Sequence, residues 1–74
     1  MLTLEEAIKI IESEKNNRKV IHSGESDDKF VFLLSDNNGD ESYDTVDKKT
    51  GEIGWMWFWD FGILVTDKKA KWIN

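Results

Sequence analysis

The 74-residue sequence contains no cysteine, a single histidine and no apolar run long enough to cross a membrane. The absence of cysteine excludes disulfides, thiolate metal sites and cysteine nucleophiles, and it fits a cytoplasmic protein. The longest mostly apolar segment, Ile53–Thr66, is shorter than a membrane-spanning helix and contains Asp60. The N-terminal MLTLEEA is acidic where a secretory signal is basic, so we expect no targeting signal. These features predict a soluble cytoplasmic protein with one domain, residues 1–74.

Acidic residues outnumber basic ones, and the formal net charge is −5. The charge is uneven, because residues 1–47 carry twelve acids and five bases whereas residues 48–74 carry three acids and five bases. A negative chain disfavours binding to phosphate backbones, and we therefore predict no nucleic-acid partner and no membrane partner. A solvated acidic surface is the first interpretation of this charge, and docking on a basic partner is the second.

The segment Thr3–Glu6 (TLEE) has the spacing of a capping box, which marks the start of a helix. In such a box the Thr3 hydroxyl accepts from the Glu6 amide, and the Glu6 carboxylate accepts from the Thr3 amide. Apolar residues follow at i, i+3, i+4 and i+7 spacing, at Leu4, Ala7, Ile8 and Ile11. The pattern predicts an amphipathic helix that ends near Lys15–Asn17.

From Arg18 onward the apolar period changes from that of a helix to that of strands. Strands are predicted at Lys19–Ser23, Phe30–Leu34, Tyr43–Asp47, Glu52–Phe61 and, more weakly patterned, Lys71–Ile73. Polar turns separate them, and Gly51 is free to take a positive φ in one of these turns, whereas Gly62 is expected to bend the fourth strand. Short loops favour antiparallel hairpins. The predicted fold class is α+β, with one N-terminal helix packed on an antiparallel meander of 4–5 strands.

The stretch GWMWFWDFG (Gly54–Gly62) concentrates most of the aromatic residues of the chain. In strand geometry one face carries Trp55, Trp57, Trp59 and Phe61, and the other carries Met56 and Phe58. The predicted helix is too narrow to cover so much apolar surface. The second face therefore needs another cover, which is the segment Ile63–Ile73, a second copy of the chain or a different protein. We predict partner binding by the first set of four side chains.

Residues able to support catalysis or metal binding are few. Ser23 follows His22 directly, so a strand would point the two side chains to opposite faces. The Asp36-x-Asn38-x-Asp40 spacing is that of a calcium loop, but Glu41 stands where such a loop requires glycine. A hairpin turn explains that segment better, and we predict neither a metal nor a cofactor.

The acidic turn Glu25–Asp28 supplies carboxylates, but a flexible loop does not hold a pair at the fixed separation that hydrolysis requires. No glycine-rich phosphate loop is present, since Gly51 and Gly54 lie at a hairpin. These observations predict a protein without enzymatic activity.

The segment Val46–Ile53 (VDKKTGEI), preceded by a helix that opens with an acidic EEA start, resembles PepSY-like domains. The resemblance covers residues 3–58 and implies a helix packed on a meander of strands. It also implies a non-enzymatic binding or inhibitory module, since domains of this family often regulate peptidases. Similar pieces occur in small bacterial immunity proteins of toxin systems.

Two functional hypotheses follow from the sequence. The first is a small soluble bacterial protein that binds another protein, as an inhibitor or immunity factor, through its aromatic strand and acidic faces. The second is a structural homo-oligomerising domain, such as a homodimer, that uses the tryptophan-rich strand as a self-interface.

Overall fold

The computed structural model describes residues 1–74 and contains two helices and five strands. In chain order these are α1 (Leu4–Glu14), β1 (Arg18–Ser26), β2 (Lys29–Asp36), β3 (Glu41–Asp47), β4 (Ile53–Trp55), α2 (Phe58–Thr66) and β5 (Ala70–Trp72). The strands form one antiparallel sheet in the order β4-β3-β2-β1-β5. Four of them form a meander, and β5 pairs with the outer edge of β1. The predicted α+β class, with an N-terminal helix on an antiparallel sheet, is confirmed.

Helix α1 begins where the capping box places it. The Thr3 hydroxyl accepts from the Glu6 amide at 3.2 Å, and Glu6 Oε1 accepts from the Thr3 amide at 2.9 Å. These bonds hold the pKa of the Glu6 carboxyl below its usual range, chiefly through the bond from the Thr3 amide. The helix therefore starts at a fixed residue.

The main hydrophobic core lies between α1 and one face of the sheet. It contains Ala7, Ile11, Phe30, Phe32, Leu34 and Val46, all at most 5% exposed. Every second residue of β2 faces this core, and the intervening Val31 is also fully buried on the opposite face. The central strand is thus buried on both sides, as its continuous apolar run predicts.

The predicted fourth strand, Glu52–Phe61, is wrong in its extent. Strand β4 ends at Trp55, and Phe58–Thr66 form α2, so Gly62 lies within a helix and does not bend a strand. The residues of α2 that turn toward the sheet are Phe61, Leu64 and Val65. This is i, i+3, i+4 spacing, which a helix can bury on one side and a strand cannot.

Helix α2 and β5 cover the face of the sheet opposite α1. Phe61 is 1% exposed, and its ring lies 4.7 Å from that of Trp72 and 6.2 Å from that of Tyr43, centroid to centroid. Gly24, which pairs with Val31 on this face, lies directly beneath Phe61. The C-terminal segment thus packs on the sheet, but it leaves Trp55, Trp57 and Trp59 about half exposed or more. Neither helix has the length and apolar character needed to cross a bilayer.

The hairpin between β3 and β4 is built by Asp47. Its Oδ1 accepts from the amides of Lys49 at 2.8 Å and Thr50 at 2.9 Å, and these bonds hold the pKa of the Asp47 carboxyl below its usual range, the Thr50 bond contributing most. Gly51 completes the turn with φ of 76°, the left-handed conformation expected from the sequence. The turn brings Ile53 back against the core beside Val46.

Candidate partner-binding surface

A groove of about 580 Å³ opens where the β3–β4 ladder ends. It is lined by Glu41, Ser42, Tyr43, Trp55, Met56, Trp57, Phe58 and Trp59, and we call it the aromatic groove. Six of these eight residues are hydrophobic. A concave, mostly apolar site with a few polar groups at its rim is the usual form of a binding site.

The backbone creates the groove by leaving the sheet abruptly. The Met56 amide donates to the Tyr43 carbonyl at 3.1 Å, which is the last bond that holds the chain against β3. Trp57 is still extended, with φ of −72° and ψ of 144°, and it is the N-cap of α2. Its carbonyl accepts from the Asp60 and Phe61 amides. The chain thus turns from strand to helix over two residues, and the tryptophans on either side of the turn are brought together.

Three indole rings form one wall of the groove. The rings of Trp57 and Trp59 stack with centroids 4.8 Å apart and planes 7° apart. The ring of Trp55 lies 5.1 Å from that of Trp57 at an interplanar angle of 89°. Aromatic pairs at such distances stabilise one another by about 0.5–1.5 kcal/mol beyond area burial, so the three rings form one contiguous surface.

These rings remain accessible to solvent. Trp55 is 66% exposed, Trp57 52% and Trp59 49%, and the neighbouring Phe58 and Ile63 of α2 are 62% and 56% exposed. Together they present roughly 600 Å² of apolar surface, given about 150–250 Å² for each aromatic side chain. That is at the upper end of the apolar patches found on monomeric proteins, and such patches often mark interaction sites.

The structure divides the four residues predicted to bind a partner. Trp55, Trp57 and Trp59 meet at the surface. Phe61, on the inner side of α2, is buried against the sheet and offers no surface to a partner. The prediction that all four share one face of a strand is wrong, because only Trp55 lies in a strand. Met56 and Phe58, expected on the opposite face, line the same groove as the tryptophans.

The sequence pattern does not predict three of the groove residues, namely Glu41, Ser42 and Tyr43. They lie at the start of β3, more than ten residues before the tryptophans, and only the pairing of β3 with β4 brings them close. Because the predicted hairpin turn at Lys48–Gly51 fixes that pairing, the register of the hairpin was the one sequence signal that pointed to them.

The charge at the aromatic groove is negative. Glu41 is the only charged residue in the lining, and it is exposed. No lysine, arginine or histidine lines the groove. Two cations lie beside residues of the groove. Lys15 Nζ lies 3.7 Å from a carboxylate oxygen of Asp44, which pairs with Trp55. Arg18 Nη1 donates to Ser42 Oγ at 3.3 Å, while its Nη2 lies 3.9 Å from an Asp36 carboxylate oxygen. Arg18 is thus engaged with groups of its own chain.

His22 and Ser23, adjacent in the sequence, do not form a catalytic pair. Nδ1 of His22 lies 3.2 Å from the Asn74 carbonyl oxygen, and its ring contacts Trp72 edge to face. Ser23 pairs with Phe32 on the α1 side of the sheet, and its buried hydroxyl has no hydrogen-bond partner. The two side chains therefore lie on opposite faces, and no nucleophile–base pair forms between them.

The acidic candidates likewise serve the fold. Asp36 Oδ1 accepts from the Asn38 amide at 2.8 Å and the Asp40 amide at 3.0 Å, so this carboxylate closes the β2–β3 turn. Glu25 lies 3.4 Å from Lys48 Nζ and 3.7 Å from Lys71 Nζ. No group of three or more potential metal-ligating side chains occurs in the structure.

The chain was compared with protein-family models, curated proteins and solved structures, and none of them matches it. The functional assignment therefore depends on the geometry of the aromatic groove and on the residues around it.

Proposed function

We propose that this chain is a small, non-enzymatic protein-binding module of a bacterial cytoplasm, which acts as an inhibitor or immunity factor. Its partner docks on the aromatic groove and the adjoining outer side of α2. The observation that carries the proposal is the cluster of three exposed tryptophans at one fixed place on the surface. Tryptophan is strongly enriched among the residues that contribute most to protein–protein affinity.

The composition of α2 supports the same proposal. A helix on the surface of a globular protein is normally polar on its outer side, but α2 carries Phe58, Trp59 and Ile63 there. Its inner side is already occupied by Phe61 packed on the sheet. An apolar outer side leaves hydrophobic surface in contact with water, and surface of this kind often marks a site of contact with another molecule.

The resemblance to PepSY-like domains agrees with a binding module. The Val46–Ile53 turn that carries the resemblance forms the β3–β4 hairpin, and this hairpin positions the aromatic groove. We propose that the similarity reflects a shared inhibitory mode of action.

A homo-oligomer is the second candidate, because the same exposed surface would be buried in a dimer. The patch of roughly 600 Å² approaches the ~800 Å² per partner of a standard interface. Sedimentation of the purified chain separates the two candidates. A concentration-independent monomer favours a different partner, whereas a monomer–dimer equilibrium that Trp57→Ala abolishes favours self-association.

The partner assay uses the native chain, Trp57→Ala and Ile21→Ala as baits. Ile21 is an exposed apolar residue in the bulged part of β1 and does not line the groove, so its variant is the matched control. A protein retained by the native chain and by Ile21→Ala but not by Trp57→Ala is purified, and its direct binding is measured. A hydrolase or transferase activity that His22→Ala or Asp27→Ala abolishes would refute the proposal.

A further inference from the structure

We infer that the aromatic groove recognises a lysine or arginine side chain of the partner protein, presented on an exposed basic segment. This inference rests on the proposed function and specifies the chemistry of the partner. Three features of the groove support it: the orientation of its indole rings, the charge of its rim and the unpaired backbone at its floor.

The indole wall suits a cation. Trp55 stands perpendicular to Trp57 and Trp59, so the wall combines indole planes in two orientations, and each of the three rings is about half exposed or more. A lysine ammonium or an arginine guanidinium is attracted to the face of an indole ring, and tryptophan is the best aromatic residue for this interaction. The methylene stem of either side chain packs on apolar rings while its charged head reaches toward water.

The rim of the groove supplies the complementary charge. Glu41 is its only charged residue, and no basic side chain of the chain itself lines the groove. The chain as a whole carries a net charge of −5, which attracts a basic partner over distances beyond direct contact. An acidic partner would instead bring like charges together at Glu41.

The floor of the groove exposes hydrogen-bonding backbone. In β3 the odd-numbered residues direct their backbone groups toward β4, as the bonds of Tyr43 to Met56 and Asp47 to Glu52 establish. After Met56, which bonds to Tyr43, the chain turns away from β3 and enters α2. No residue of β4 therefore lies opposite Glu41. The Glu41 amide and carbonyl are thus available to the main chain of a bound segment, as in the addition of a strand to a sheet edge.

A second copy of the chain fits the groove less well. In a two-fold dimer each aromatic groove would meet its equivalent, and two Glu41 side chains would approach each other with no cation between them. The lysines Lys68, Lys69 and Lys71 line a separate concavity with Glu25 and are not part of the groove. A different protein that carries its own basic residues avoids this repulsion.

The test uses three synthetic peptides of one length, Ac-AKARAKA-amide and the same sequence with glutamine or glutamate at each basic position. Each peptide is titrated into the native chain while the indole N–H signals are followed by NMR. We expect the basic peptide to shift the signals of Trp55, Trp57 and Trp59 saturably, and the glutamine peptide to bind at least about threefold more weakly. The glutamate peptide should not bind.

Variants locate the interaction. Trp57→Leu retains apolar bulk but removes an aromatic ring, and it should weaken the affinity for the basic peptide about 2- to 30-fold. Glu41→Gln removes the rim charge and should weaken the affinity for the basic peptide about 1.5- to 5-fold. The control Glu12→Gln removes an exposed charge of α1 and should leave the affinity unchanged.

Other outcomes overturn the inference. Equal binding of the glutamine peptide, or no binding of the basic peptide, refutes recognition of a cation. If Trp57→Ala still abolishes binding of a purified partner in either case, the proposed function stands, and only the inferred recognition of a basic side chain is wrong. Binding of phosphatidylcholine–phosphatidylserine vesicles through these tryptophans, or self-association that Trp57→Ala abolishes, refutes both the inference and a different protein as the occupant.

Discussion

The ring of Phe61 in α2 lies so close to Gly24 in β1 that a Cβ added to Gly24 would stand 2.6 Å from Phe61 Cζ and 3.0 Å from the carbonyl oxygen of Lys71. Real Cβ atoms are essentially never found at 2.6 Å from another heavy atom. The absent side chain of Gly24 therefore allows the second apolar layer to pack on the sheet. The fold has two cores, and this contact closes the smaller one.

Gly24→Ala should destabilise the protein because the added methyl group displaces Phe61 from the sheet. We expect the free energy of unfolding in urea to fall by about 1–3 kcal/mol, the usual cost of overpacking. Gly62→Ala is the matched control, since an added Cβ at this helical position meets nothing within 4 Å. It should stabilise the protein by about 0.5–1 kcal/mol. Equal effects at the two glycines would contradict the packing described for Phe61.

Truncation of Phe61 should be far more harmful than truncation of Trp57. Phe61 is buried, and Phe61→Ala should cost about 3–5 kcal/mol of unfolding free energy, enough to unfold so small a domain. Phe61→Leu leaves a smaller cavity and should give an intermediate, measurable loss. Trp57→Ala removes a half-exposed ring that contacts Trp55 and Trp59, and it should cost about 1–2 kcal/mol. A Trp57→Ala variant that unfolds would place this tryptophan in the core.

The capping box should contribute measurably to the stability of α1. Thr3→Ala removes the hydroxyl that accepts from the Glu6 amide, and we expect a loss of about 1 kcal/mol in chemical denaturation. Thr3→Ser keeps an accepting hydroxyl and should retain most of the stability. A Thr3→Ser variant as unstable as Thr3→Ala would show that the hydroxyl bond is not the cause.

Two carboxylates should make the protein less stable in acid. The pKa values of Glu6 and Asp47 lie below the ordinary 4.5 and 3.8, because backbone amides donate to the ionised forms. Their contribution is complete above those ordinary values, where the folded and unfolded states are both ionised. It is lost as pH falls through the lower folded-state values, since the unfolded chain takes up protons first.

The unfolding free energy should therefore decline as pH falls below about 4.5, and Glu6→Gln and Asp47→Asn should each flatten the decline. Denaturant titrations at several pH values, from neutral to below the folded-state pKa values, measure the slope of the unfolding free energy against pH. Glu12→Gln, which alters an exposed acid of α1, provides the reference variant. Unchanged slopes in both test variants would contradict the assigned hydrogen bonds.

Local signals in the sequence identify most of the fold. The capping box fixes the start of α1, the continuous apolar run Phe30–Leu34 marks the central strand, and the Asp47–Gly51 turn sets the β3–β4 register. Each signal acts within a few residues of the structure it specifies. The short C-terminal strand was also recognised, although β5 pairs with β1 across more than forty residues.

The stretch Gly54–Gly62 does not form the strand that its alternation predicts, and the reason is physical. It is apolar at nearly every position, so it satisfies strand alternation and helical spacing equally, and a short apolar run of this kind does not identify its own conformation. Only packing decides, because Gly24 leaves room for one aromatic ring that Phe61 reaches from a helix. The spacing of Phe61, Leu64 and Val65 carried the helical signal, but it was hidden among equally apolar neighbours.

The sequence predicts only part of the candidate site, because a local pattern does not show which distant residues the fold brings together. Three of its tryptophans are evident from composition alone, whereas Glu41 and Tyr43 join them only through the paired strands. The burial of Phe61 depends on the second helix, and no local pattern separated it from the exposed tryptophans.

The central claim is that the aromatic groove binds a partner protein and is not required for folding. Its most direct test is the equilibrium affinity of the purified partner for three folded proteins: the native chain, Trp57→Ala and the control Ile21→Ala. We expect Trp57→Ala to lose at least about 2 kcal/mol of binding free energy, as a tryptophan at the centre of an interface does, while Ile21→Ala binds like the native chain. Equal affinity of the native chain and Trp57→Ala would contradict the claim.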